Sequence, residues 1–188
     1  EKQVELLDGT RVEYDKLLIA TGANSFIPPV GNLREAKNVF GLRHLSDAQA
    51  IDQSAKEAEN IVIIGSGLVG LDAAYGLMET GKNVSIVEMA DRILPVQLDK
   101  TAAKEYQKRF ESAGAKFYLG RKAAETKMDE NGKITTVILD NGEELKSDLI
   151  IVAAGVRSAT AGFETEEIIV DRGMKVDEFM QTGAKDVY

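Results

Sequence analysis

Apolar positions along the chain follow more than one period. Ile61-Val62-Ile63-Ile64 is a continuous β-branched run that leads into Gly65-Ser66-Gly67-Leu68-Val69-Gly70, and a helical pattern follows through Met78, with Gly81 just beyond as a stop. Strand, glycine turn and helix stand in that order. Downstream, Asn83–Glu88 predicts a second strand and residues 101–112 a helix, whose Lys104 and Lys108 mark a solvated face. Lys116–Leu119 predicts a third strand, and residues 133–139 with 143–146 a hairpin. Upstream, Ser46 and Gln49 read as a Ser-x-x-Gln capping box that opens a helix through about Ala58.

One pattern occurs twice, 133 residues apart. Asp8-Gly9, Asp15 and Leu17-Leu18-Ile19-Ala20-Thr21-Gly22 are matched by Asn141-Gly142, Asp148 and Ile150-Ile151-Val152-Ala153-Ala154-Gly155. Each copy reads as two short strands around a glycine turn, a polar link, then a buried strand ending on small residues. Chance similarity between two β-meanders is the competing reading. The second copy is preceded by the strand, glycine turn and helix, whereas a matching unit for the first copy would fall before residue 1. The expected organisation is the C-terminal part of the first half of one nucleotide-binding domain in residues 1–40, a complete one in 41–157, and the start of a return segment in 158–188. The absence of an initiator Met agrees with a piece of a longer chain.

Composition narrows the function classes. A hydrophobic content of 44% with 29% charged residues belongs to a globular chain. The 31 acidic residues outnumber 23 basic ones, and a net charge of −8 repels a phosphate backbone, which argues against nucleic acid as a partner. No apolar run approaches the roughly 20 residues that span a bilayer, and the opening Glu1-Lys2-Gln3 does not read as a signal peptide. The expectation is a cytoplasmic protein with no membrane partner. Zero Cys and one His exclude thiol chemistry and thiolate zinc sites within this stretch, and His44 has no companion at ligand spacing, so no metal is expected.

The chemistry concentrates at the glycine turn. Gly65 permits the tight turn, Gly67 lets the backbone approach a pyrophosphate, and Gly70 allows the helix to pack closely on the sheet, with Ser66, Leu68 and Val69 completing the loop. The helix N-terminus offers N–H groups and partial positive charge to the phosphates. Glu88, 18 residues after Gly70, ends the next strand where a carboxylate accepts hydrogen bonds from the adenosine ribose and repels a 2′-phosphate. That favours NAD(H) over NADP(H). Arg92 has two readings, a cation for the extra phosphate or a plain surface charge. Asp72, in the first turn of the expected helix, reads as a helix-dipole partner. Tyr75, Met78 and Tyr106 lie at helical spacings and read as packing residues.

These residues together resemble the middle of a flavoprotein of the pyridine nucleotide-disulfide oxidoreductase superfamily, nearest its NADH oxidase, coenzyme A-disulfide reductase and nitrite-reductase-like branch. The resemblance implies an α/β fold: a Rossmann-like parallel sheet with helices on one face and a β-meander on the other, flanked by partial flavin-domain segments. It also implies that Thr21 and Gly22 touch FAD, that Ala154 and Gly155 border NADH beside Glu88 and Met89, and that Asp72 is the catalytic candidate. Three departures stand out: Leu68 where many members have Tyr, Asp72 where many have Glu, and Ser158-Ala159 in place of Pro-Asn. The implied activity is hydride transfer from NADH to FAD, then electron delivery to an unknown acceptor such as a disulfide, oxygen or a redox protein. A silent NAD-binding or sensing module is the alternative. The apolar run at residues 17–20, with no cover inside this chain, predicts self-association.

Overall fold

In the computed structural model, which describes residues 2–188, the chain forms two compact units. Residues 25–155 make one, and residues 2–24 with 156–188 make the other. The chain opens with β1 (Gln3–Glu5), β2 (Arg11–Glu13), β3 (Ala23–Ser25) and β4 (Val39–Gly41), followed by α1 (Leu45–Ala55). Next come β5 (Asn60–Ile64), α2 (Leu68–Glu79), β6 (Asn83–Glu88), α3 (Lys100–Ser112) and β7 (Lys116–Leu119). The remaining strands are β8 (Ala123–Met128), β9 (Ile134–Leu139), β10 (Glu144–Lys146), β11 (Leu149–Val152) and β12 (Val156–Ser158).

The larger unit is built on a five-stranded sheet in the order β4-β11-β5-β6-β7, with every neighbour parallel. Its strands bury both faces, as their continuous apolar runs require. On one face, Ile61, Ile63, Val84, Ile86, Leu149 and Ile151 pack against Ile51 and Ala55 of α1 and Ala74 and Leu77 of α2. On the other, Val62, Val87, Ile150 and Val152 meet Ala123, Ile134, Val137, Leu139 and Leu145 of the antiparallel meander β8-β9-β10. Each fully buried Ile, Leu or Val contributes about 1.5–3 kcal/mol, so these two layers hold the C-terminal strand ends in place. Helices on one face and a meander on the other are as expected.

Polar residues fix the junctions. Asp148 precedes β11 and reaches the start of β5, where Oδ2 accepts from Asn60 N at 2.8 Å, Asn60 Nδ2 at 3.0 Å and Glu59 N at 3.2 Å. Buried Asn38 donates to the Ile134 and Asp148 carbonyls and accepts from Ile134 N, stitching the β4 approach to the meander. Asp99 caps α3 by accepting from Ala102 N.

Several local expectations are corrected. The α1 N-cap is His44, and the capping carboxylate is Asp47, which accepts from His44 N at 2.8 Å and Arg43 N at 2.9 Å; Ser46 and Gln49 lie inside the helix. The helix ends at Ala55, short of Ala58. The larger compact unit spans residues 25–155; within it β4 pairs with β11, and Leu33 is buried in the meander-side core. Tyr75 is an exposed residue whose hydroxyl donates to Glu79, not a core residue.

The smaller unit carries the hairpin β1-β2 and most of the β3-β12 pair. The repeat is visible in its turns: Leu6 N donates to Thr10 O at 2.8 Å, and Leu139 N to Glu143 O at 2.9 Å. Gly9 and Gly142 take φ of 83° and 84°. Residues 17–20 do not form a full strand. Leu17 bridges Val187 in parallel, held by bonds to Asp186 and Tyr188, and Leu18 is 71% exposed.

Candidate functional site

The site sits at the C-terminal ends of the parallel strands, the position where open α/β sheets bind ligands. Gly65 leaves β5 with φ 108°, and a Cβ there would lie 2.5 Å from the Ala153 carbonyl oxygen, so only glycine fits. Gly70, in the first turn of α2, lies against the Gly65 carbonyl, which a side chain would overlap. Gly67, the α2 N-cap, differs from both: apart from its own chain neighbours, a Cβ added there would meet no atom of the described residues within 4 Å. Two of the three glycines are thus required by the protein's own packing, and the third faces open space at the helix N-terminus.

Glu88 closes the turn. Its Oε2 accepts from Ser66 N at 2.9 Å and from Ser66 Oγ at 2.8 Å, while Oε1 accepts from Ala90 N at 2.8 Å. Ser66 is fully buried, and its carbonyl accepts from Leu94 N, tying residues 90–98 to the glycine turn. The carboxylate is fixed by three protein donors at the rim of a cleft of about 420 Å³. Ile64, Val87, Ala153, Phe26, Pro28, Val30, Pro95 and Val96 supply its apolar lining.

The expected residues separate into two groups. Gly65, Gly67, Glu88, Met89 and Ala154 line the cleft, whereas Ser66 and Gly70 lie behind it as its support. Leu68 and Val69 are half-exposed on the first turn of α2, outside the lining, and Gly155 follows Ala154 with φ 91°. Asp72 lies one turn further along α2 than a first-turn dipole partner would, exposed and with no hydrogen bond or ion pair among the described residues. In the smaller unit the Thr21 hydroxyl donates to the Ala159 carbonyl at 2.6 Å, and Gly22 takes φ 73°. Arg92 is engaged structurally, donating to the carbonyls of Leu98 and Pro95 and to Asp91. Sequence reasoning missed Phe26, Pro28, Val30, Pro95, Val96, Arg121 and Lys122. The rule that places ligands at carboxyl strand ends could have found Arg121, just beyond β7.

The family model for pyridine nucleotide-disulphide oxidoreductase matches residues 1–188. The chain belongs to that family. It is 36% identical over 184 residues to the NADH-dependent phenylglyoxylate dehydrogenase subunit epsilon of Aromatoleum evansii, covering 98% of this chain and 43% of that protein. It is 35% identical over 189 residues to the assimilatory nitrate reductase electron transfer subunit of Bacillus subtilis, covering 100% of this chain and 24% of that one. Among solved structures, the ferredoxin reductase for the CYP199A2 system from Rhodopseudomonas palustris superposes with a TM-score of 0.92 at 27% identity, over 99% of this chain and 46% of that one. The chain therefore spans less than half the length of these relatives. In this oxidoreductase fold, no helix among the described residues is long and apolar enough to cross a membrane, and no group of three or more His, Cys, Asp or Glu is placed to hold a metal.

Proposed function

We propose that residues 25–155 bind NADH, and that the whole protein passes hydride from NADH to FAD and then electrons to a disulfide, oxygen or a redox protein. The observation that carries this reading is Gly67. A glycine that its own protein does not need, at a helix N-terminus opening on an apolar cleft, is what close approach of a pyrophosphate demands. Glu88 supports the preference for NADH, since its fixed carboxylate can accept from ribose hydroxyls and opposes a 2′-phosphate. Gly65, Ser66, Leu68, Val69 and Gly70 shape the phosphate loop, Met89 borders the adenosine, and Ala154 and Gly155 border the nicotinamide. Thr21 and Gly22 contribute a partial FAD site, and Asp72 positions the nicotinamide. When bound, NADH supplies the hydride; this chain's task is to hold it in line. Two relatives named for electron transfer and ferredoxin reduction favour a redox protein as acceptor.

Calorimetric titration of the 188-residue chain tests the nucleotide site. NADH should bind, NADPH more weakly, and Glu88→Ala should reduce NADH affinity. Equal affinity of the unmodified chain for the two nucleotides would refute the preference, and no binding at all would refute the site.

A further inference from the structure

The cleft holds cations that no part of the NADH reading uses. Among the described residues that line it, Glu88 is the single acid, and Arg121 and Lys122 are the two bases. Arg121 is held beside the acid by its backbone, because Arg121 N donates to Glu88 O at 3.0 Å while Gly120 N donates to Ala90 O at 2.8 Å. The Arg121 guanidinium reaches only the neighbouring Gly120 carbonyl at 3.5 Å, and neither cation forms an ion pair among the described residues. Both are exposed. Arg92, by contrast, has its guanidinium tied to two carbonyls and Asp91.

Strand order assigns them a role. The strand ends run β11, β5, β6, β7 across the sheet, carrying Ala154, Gly65, Glu88 and then the Gly120-Arg121 bend. A dinucleotide whose pyrophosphate lies over Gly67 and whose ribose meets Glu88 brings its adenosine end toward β7. Arg121 and Lys122 therefore flank the ribose on the side away from the pyrophosphate, where a 2′-phosphate would project.

We propose that Arg121 and Lys122 are specificity-determining residues, a latent 2′-phosphate subsite that Glu88 masks. The inference rests on the dinucleotide reading of this cleft. Nucleotide choice is then a balance of one carboxylate against two cations, and removing the carboxylate's charge is enough to admit NADPH. The two ligands differ by a single phosphate, so the cations act on NADPH and leave NADH nearly untouched.

A double-mutant cycle on the 188-residue chain tests this by calorimetry with NADH and NADPH. Glu88→Gln removes the charge and keeps one acceptor oxygen for the two Ser66 donors, at the loss of the bond from Ala90 N. It should raise the NADPH/NADH affinity ratio by about tenfold or more, and added salt should erode the gain. With Arg121→Gln and Lys122→Gln also present, the same change should move the ratio less than about threefold, because a lone charge repulsion relieved in water is weak. The thermal melt of each variant checks that the fold is kept, as both cations are solvent-exposed. An undiminished gain in the cation-free background overturns the proposal. So does an equal fall in NADH and NADPH affinity on losing the cations, which would place them on a moiety the two nucleotides share. If the unmodified chain binds both nucleotides equally but loses NADPH alone without the cations, the stated preference and the masking by Glu88 both fail, while the dinucleotide reading of the cleft stands. If it binds neither, the nucleotide reading and the subsite fall together.

Discussion

Asp148→Ala should destabilise the larger unit by about 2 kcal/mol, while the same change at its repeat partner Asp15 should cost almost nothing. The Asp148 carboxylate accepts three hydrogen bonds at the start of β5, two of them at 3.0 Å or less. Bonds to a charged group are worth about 1.5–3 kcal/mol each, and water can replace part of the loss at a half-buried position, which brings the sum to about 2 kcal/mol. With a urea slope of about 1–3 kcal/mol per molar, the midpoint should fall by roughly 1 M. The Asp15 carboxylate accepts no hydrogen bond from a described residue; only its backbone carbonyl is engaged, by Lys2. The pH dependence gives a second check. Burial pulls the Asp148 carboxyl upward, but the hydrogen bonds from Asn60 and Glu59 outweigh it and hold the group below its ordinary value of 3.8. A depressed folded-state value means that the stabilisation is complete above the ordinary value and is lost as pH falls through the folded one. Urea melts followed by circular dichroism should therefore show the gap between wild type and Asp148→Ala closing in acid. Equal losses for the two alanine variants, or a gap unchanged from neutral pH to well below 3.8, would refute the reasoning.

Gly65→Ala should unfold or strongly destabilise the larger unit, because of its φ of 108° and the 2.5 Å approach to Ala153 O, whereas Gly67→Ala should melt within about 1 kcal/mol of wild type yet lose NADH affinity; thermal melts paired with calorimetry separate the two. Asn38→Ala leaves the Ile134 and Asp148 backbone groups without their partner and should cost about 2–4 kcal/mol in a urea melt. The 188-residue chain should self-associate in sedimentation velocity, and Leu18→Lys should reduce that; a concentration-independent monomer would remove the basis for it.

The parts legible in the sequence were those encoded locally. Residues 61–88 carry strand, glycine turn, helix and strand within one short stretch, and the turn works only with Gly65 and Gly70 in place, so the spacing itself announced the geometry. Glu88 followed because it ends the neighbouring strand. What stayed hidden depends on partners far along the chain. β8 has an exposed, charged pattern, Ala-Ala-Glu-Thr-Lys-Met, and is a strand only because β9 pairs with it. Phe26, Pro28 and Val30 join the cleft through the β4 approach, which no short-range pattern connects to the glycine turn. At α1 the N-cap falls at His44 and not at Ser46, because the Asp47 carboxylate reaches the backbone donors of Arg43 and His44 at once.

The internal repeat shows how far neighbours, not local pattern, decide burial. Val137 and Leu145, on facing strands of the three-stranded meander, are 0% and 5% exposed, while Val12, the repeat mate of Leu145, is 48% exposed on a hairpin of only two strands. Ile151 lies between β4 and β5 at 0% exposure; its mate Leu18 has, among the described residues, a paired segment on one side alone, at residues 186–188, and stands 71% exposed. Matching glycine angles and turn bonds prove that both copies fold the same way locally, so the difference comes from what each sheet edge meets. A buried Leu or Val contributes about 1.5–3 kcal/mol, and that contribution is realised in the larger unit and largely unrealised at Leu18 and Val12. That exposed apolar surface is the basis of the predicted association, which should therefore respond to a charge at Leu18 and not to changes in the cleft at Gly67.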